Sequence, residues 1–224
     1  MQSLLAGVGK SSHQVKISST NNEKVCVLNE NEIYQVFVKK CKDNKFEVRQ
    51  EQLAKFKEQV SLKSINRKLV LTNMGLSLEF AKYFSNMLHN FQYHNIDRIS
   101  SIDLSMNNLR DPGIIELAKP IRYCKFIVKL DVSSNSISSK GFQTLCLALE
   151  KNEGVCMINF STKNGVNRNR LQEAGGKHVA KLIGTPDCPI QFLNLNGCVL
   201  KDEGANHVFS MMSSKIERKL TNTL

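Results

Sequence analysis

Tryptophan does not occur in these 224 residues, and aromatic side chains supply only 7% of them. An interior assembled around large rings is excluded, so the apolar layers must come from Leu, Ile and Val. The cysteines, Cys26, Cys41, Cys124, Cys146, Cys156, Cys188 and Cys198, contain no CxxC pair. Seven is an odd number, which excludes a complete disulfide scheme and makes a reducing compartment the expectation. The opening MQSLLAGVGK lacks the basic and long apolar regions of a secretory signal, and no run approaches the ~18 apolar residues of a membrane span. A soluble cytoplasmic protein with no membrane span is expected, with a cytoskeletal or ciliary location as the narrower version.

Catalytic patterns are missing too. The string GVGKSS at 7–12 imitates a phosphate-binding loop, but Leu4 stands where that loop needs its first glycine, and no strand can precede it. The five histidines, His13, His89, His94, His178 and His207, form no HExxH and have no cysteine at ligand spacing. The pair Asp202 and Glu203 lies near a helix start, where acids complement the dipole. The expectation is therefore no enzyme, no catalytic residue, no metal and no cofactor.

Lys and Arg outnumber Asp and Glu by 31 to 20, a net charge of +11. Acidic partners such as RNA or tubulin tails are electrostatically favoured by that excess. Its distribution is even: +4 over residues 1–65, +4 over 66–152 and +3 over 153–224. No basic arm is present, and solvated surface is the ordinary place for such charge.

What the chain does have is a repeat. Ile99, Ile102, Leu104, Asn107, Leu109, Gly113, Leu117 and Ile121 recur 28 positions later as Ile127, Leu130, Val132, Asn135, Ile137, Gly141, Leu145 and Leu149. A third copy starts at Val155, Ile158 and Phe160; a fourth holds Ile190, Leu193, Leu195, Cys198, Leu200, Gly204, Val208 and Met212; a weaker one runs earlier through Leu69, Leu71 and Leu76. Self-similarity at such a period is the signature of a solenoid. Each unit reads as a short strand, a turn and a helix that opens at the glycine. Stacking units leaves turn N–H and C=O groups facing inward without a ladder partner, and an unpaired buried polar group costs about 1 to 3 kcal/mol. An asparagine both donates and accepts, so a column containing Asn107 and Asn135 can bond the turns from repeat to repeat.

These residues resemble the leucine-rich repeat pattern LxxLxLxxNxL, and the 28-residue period with its helix-opening glycine is similar to the ribonuclease-inhibitor-like class. The resemblance covers roughly residues 65 to 212, with Met74 and Cys198 in the asparagine column. It implies an α/β solenoid, with a curved parallel sheet on one face and helices on the other. We expect a flexible segment at 1–24, a two-helix N-terminal cap at 25–64, and an array of about five repeats at 65–224. IERKLTNTL at 216–224 echoes INRKLVLTN at 65–73, so the array is expected to end in an incomplete repeat that starts another strand.

Two surfaces are candidates for a partner. The third copy carries STKNGVNRNRLQEAGG, about six residues more than its neighbours, and Leu171 and Gly175 restore the phase. Insertions in repeat arrays map to loops on one face, often the binding face. Asn164, Asn167, Arg168, Asn169 and Arg170 would make a polar, partly cationic finger suited to carboxylates or phosphates. The other surface is the sheet face, whose middle column is Asp103, Asp131, Asn159 and Asn194. The expected function is a non-catalytic protein-protein interaction scaffold within a larger intracellular assembly. The alternatives are a GTPase activator, since the Ran GTPase activators share this repeat class, and RNA or microtubule binding through the basic surface.

Overall fold

A strand with Leu130 and Val132 on one side buries only that side, so it needs a helix behind it and a strand on either edge. The computed structural model supplies both. It describes residues 34, 35, 38, 39, 42, 50–61, 68–93, 99–163 and 165–221. Five three-residue strands, β1 Lys68–Val70, β2 Ser101–Asp103, β3 Lys129–Asp131, β4 Met157–Asn159 and β5 Phe192–Asn194, form one sheet in sequence order. All four pairings are parallel, and the register sets Leu69, Ile102, Leu130, Ile158 and Leu193 side by side. The 28-residue period thus lies directly in the ladder.

Each strand is followed by a helix: Leu78–Tyr93, Arg110–Ile121, Ser139–Leu149, Gln172–Gly184 and Lys201–Thr221 complete repeats one to five. Between sheet and helices lie layers of Leu71, Leu104, Val132 and Phe160 with Phe80, Leu117 and Leu145, all 2% exposed or less. Phe142 meets Phe160 edge-on with ring centroids 4.6 Å apart, a favoured aromatic geometry. The chain is an α/β solenoid, as its periodicity predicts, of the leucine-rich-repeat type that the resemblance implies.

The repeat glycine sits inside the first helical turn. A Cβ at Gly175 would lie 2.6 Å from Leu171 Cβ. Only glycine lets the turn close onto the apolar residue that leads into it.

At the front of the array, the helix Gln50–Ser61 packs Phe56 into the core beside β1, and Leu53 rests against it. Residues 34, 35, 38, 39 and 42 are helical, and Lys57 stands 5.5 Å from the centre of the Tyr34 ring. The segment 1–24, with its loop-like 7–12, lies outside the described residues. At the other end the expectation of a new strand is corrected. The fifth helix runs unbroken from Lys201 to Thr221, because no glycine or proline follows Gly204 to stop it.

Burial also decides the thiol chemistry. Cys124, Cys146 and Cys198 are buried as free thiols, and burial pushes each thiol up to about 12. At pH 8 their thiolate fraction is on the order of one in ten thousand. These three should resist iodoacetamide in the native protein and react after unfolding in urea. Peptide mapping that finds them alkylated under native conditions would contradict the packing described here.

Candidate functional site

The sheet-face column is the first candidate, and its carboxamides and carboxylates are already engaged. Asp103 Oδ1 accepts the N–H of Ser105 at 2.9 Å, and Asp131 Oδ1 accepts that of Ser133 at 2.9 Å. Asn159 and Asn194 repeat the contact with Ser161 and Asn196, both at 3.0 Å. Each side chain therefore turns the backbone at the end of its own strand. Asp131 is only 7% exposed, and its Oδ2 also accepts from Asn159 Nδ2 at 2.8 Å. That second bond joins repeats three and four, so Asp131 has little left to offer a partner.

The asparagine column lies one turn further on. Asn107 Oδ1 accepts the N–H groups of Met74 and Leu76 at 2.9 and 3.0 Å, while its Nδ2 donates to Leu71 and Leu104 carbonyls, both at 2.8 Å. Asn135 Nδ2 donates to the Leu104 and Ser133 carbonyls at 2.9 and 3.0 Å. In repeat four the position belongs to Asn169. Its Oδ1 accepts from the N–H groups of Asn135 and Ile137 at 3.1 and 3.0 Å, and its Nδ2 donates to the Val132 and Phe160 carbonyls at 3.1 and 2.7 Å. Cys198 closes the column, its Sγ donating to Phe160 at 3.1 Å. Asn169 is fully buried, so its expected place in the rim finger is corrected to the interior. The signal was available: Asn169 stands two residues before Leu171, as Asn135 stands two before Ile137.

The insertion leaves Gly165, Val166, Arg168 and Arg170 exposed but is fastened along its inner side. It folds back over repeats two and three. The Lys163 N–H donates to Ser134 Oγ at 2.6 Å, and its ammonium donates to Ser105 Oγ at 3.2 Å and lies 3.7 Å from Asp131 Oδ2. Asn167 Nδ2 donates to the Asn107 carbonyl at 3.0 Å, and the Asn167 carbonyl accepts from the Ser136 N–H at 2.9 Å. The Arg170 N–H donates to the Ile137 carbonyl at 2.8 Å, which makes a parallel bridge between Ser138 and Arg170. Lys163 was not anticipated as a fastening residue; it has no counterpart in the neighbouring repeats. Asn164 lies outside the described residues.

A cleft opens between this folded-back loop and the turn of repeat three, with Ser136, Ser138, Gly165, Asn167, Arg168 and Arg170 on its walls. Arg168 and Arg170 are exposed, and among the described residues neither forms an ion pair or a side-chain hydrogen bond. Asp111 is occupied by repeat three: it accepts the Ser138 N–H at 2.7 Å and the Ser138 hydroxyl at 2.5 Å. Chemically, this is a polar cleft with two uncommitted guanidiniums held on a fixed loop. Among the described residues, no three His, Cys, Asp or Glu side chains converge to hold a metal, and no helix is long and apolar enough to cross a membrane.

Known proteins fit this geometry. The described architecture resembles a solved structure of leiomodin-1 actin-binding site 2, with a TM-score of 0.50 and 16% identity over 77% of this chain and 94% of that one, a likeness of fold. In sequence, the chain is 27% identical over 135 residues to the mouse NACHT, LRR and PYD domains-containing protein 4C, matching 60% of this chain and 13% of that protein. The human NACHT, LRR and PYD domains-containing protein 13 is 27% identical over 120 residues, 53% of this chain and 11% of its own length. This chain thus spans a small part of those relatives. The Leucine Rich repeat family profile matches residues 99–118, 123–146 and 187–206, the strand-turn-helix units of repeats two, three and five. With the five-stranded ladder and the bonded asparagine column, these matches identify the chain as a leucine-rich repeat protein.

Proposed function

We propose that this chain is a non-catalytic protein-interaction scaffold, a subunit of a larger intracellular assembly, and that the rim formed by the repeat-four insertion is its contact surface. The observation that carries the reading is the insertion itself. A loop with no packing duty could be flexible; this one is fastened to repeats two and three by five hydrogen bonds from Lys163, Ser136, Asn167 and Arg170. Two arginines on it, Arg168 and Arg170, remain unpaired among the described residues. Loops held by a rigid scaffold are where repeat proteins place their contacts, and ordering a loop in advance removes part of the entropic cost of binding. The sheet-face column supports a lesser role, because Asp103, Asp131, Asn159 and Asn194 each serve their own turns.

The test is to change Arg168 and Arg170 together to alanine. Both are exposed, so stability should move by less than about 0.5 kcal/mol. Affinity for the protein that co-purifies with the tagged wild-type chain from its source cells should fall more than about tenfold, a loss of about 1.4 kcal/mol. Unchanged affinity would remove the insertion from the binding surface.

A further inference from the structure

We infer that the rim of repeats two to four is a receptor groove for an extended acidic segment of a protein partner, with Arg110, Arg168 and Arg170 taking its carboxylates. The inference rests on the interaction reading above, and adds a residue and a ligand chemistry to it. Asn108, Ser136 and Arg170 occupy the same place in successive repeats, each preceding by one residue the end of its turn. The turns are locked in that order, since the Arg110 N–H donates to the Asn135 carbonyl, the Ser136 N–H to Asn167, and the Arg170 N–H to Ile137. Arg110 is exposed, and its Nε donates to Asn108 Oδ1 at 2.9 Å. That bond holds the guanidinium at Asn108, its own repeat's place in the row. Reading across the rim, the order is a guanidinium, a serine, and two guanidiniums.

Arg168 and Arg170 flank Asn169, whose side chain points into the core. Alternation in an extended stretch sends both arginines outward on the same side. Repeats stack at the strand spacing of about 4.8 Å, so the row from Arg110 to Arg170 covers roughly 10 Å, the reach of three to four extended residues. Among the described residues none of the three arginines has a carboxylate partner. A guanidinium presents a planar fork that matches a carboxylate in two parallel hydrogen bonds. The Ser136 hydroxyl, free of partners among the described residues, lines the cleft with Arg168 and Arg170 as an added donor.

Two features favour a protein segment over a nucleic acid. Single-stranded nucleic acid is held by aromatic stacking along a basic track, and among the described residues no aromatic side chain lines this cleft. The loop tip instead carries Val166, 53% exposed, beside the cations. An apolar side chain next to three forks suits a segment in which acids alternate with aliphatic residues.

The experiment uses the full chain and a fluorescein-labelled peptide of twelve residues in which Glu alternates with Leu and Gly, with a Gln-for-Glu peptide as its neutral twin. Anisotropy near physiological salt should show the acidic peptide binding about tenfold or more tightly than the twin. Arg110→Gln, and Arg168→Gln with Arg170→Gln, should each weaken it about fivefold or more. Arg168→Lys with Arg170→Lys should also weaken it, since charge is kept and the fork is lost. Lys119→Gln with Lys151→Gln, which removes the same charge elsewhere, should change it less than about twofold. Equal loss in that last variant, or equal binding of the neutral twin, would reduce the effect to net charge and overturn the groove. Tighter binding of a single-stranded RNA twelve-mer that depends on the same three arginines would assign the rim to nucleic acid and overturn it as well. If the acidic peptide does not bind while the Arg168 and Arg170 alanine variant still loses the co-purifying protein, the groove falls and the interaction reading stands. If that variant keeps the protein too, both fall.

Discussion

Replacing Asn169 with alanine should lower the unfolding free energy by more than about 3 kcal/mol, a larger loss than any exposed substitution in the insertion. Four backbone groups bond its carboxamide, the N–H groups of Asn135 and Ile137 and the carbonyls of Val132 and Phe160, the last of which also accepts from Cys198 Sγ. Asn169 is fully buried, so water cannot take its place without opening the turn. An unsatisfied buried group costs about 1 to 3 kcal/mol, and several are orphaned together here. Urea melts decide the matter, and a loss below about 1 kcal/mol would mean that the column is not the support described. Asn169→Cys should recover part of the loss, because Cys198 shows that a thiol in this column can still donate to the Phe160 carbonyl.

Gly176→Ala should act differently, by prying off one end of the molecule. A Cβ at Gly176 would lie 2.5 Å from the Gly204 carbonyl oxygen and 2.6 Å from its Cα. Both obstacles are backbone, so no rotamer change relieves the clash. The helices Gln172–Gly184 and Lys201–Thr221 would have to separate. Overpacking of this kind costs about 1 to 3 kcal/mol and occasionally more. The damage should be local: amide exchange should accelerate along 201–221 and stay slow in Ser139–Leu149, as regions of one fold open independently. Uniform acceleration, or none, would contradict a contact confined to the last two repeats. Gly113→Ala makes a useful comparison, since its nearest contact is the Leu109 Cβ at 3.1 Å, and its cost should be smaller.

Strands, helices and the first two members of the asparagine column were legible because one physical rule wrote them all. A buried face every second residue followed by one every third or fourth marks a strand and then a helix, and Asn107 and Asn135 keep the same distance from both. Asn169 reads as a rim residue when counted forward from Phe160 into the insertion, and as a member of the column when counted back from Leu171. The path of the insertion was not legible at all. It is set by Lys163 and Asn167 reaching partners in repeats two and three, and long-range pairing leaves no periodic trace. Similar strings also misled. Lys68–Val70 is a strand because it pairs with Ser101–Asp103; near Ile216 similar letters continue a helix, since extending an existing helix needs no new nucleus. Among site residues, Arg168 and Arg170 could be singled out from sequence, but the neighbouring Arg110 could not, because its relevance depends on stacking.

The folded-back loop changes how the array can come apart. In an ordinary solenoid each unit touches its immediate neighbours, so stability is a sum of intrinsic and nearest-neighbour terms and unfolding can advance one unit at a time. The bonds from Lys163 to Ser105 and from Asn167 to Asn107 span 58 and 60 positions and skip a unit. They add a next-nearest-neighbour coupling that such a one-dimensional description lacks. Opening repeat three therefore works against two bonds that bypass it, a coupling that favours repeats two to four acting as one cooperative block. A partner bound along the rim would touch every member of that block, so its binding energy would be felt by three repeats in common rather than by the one it contacts most.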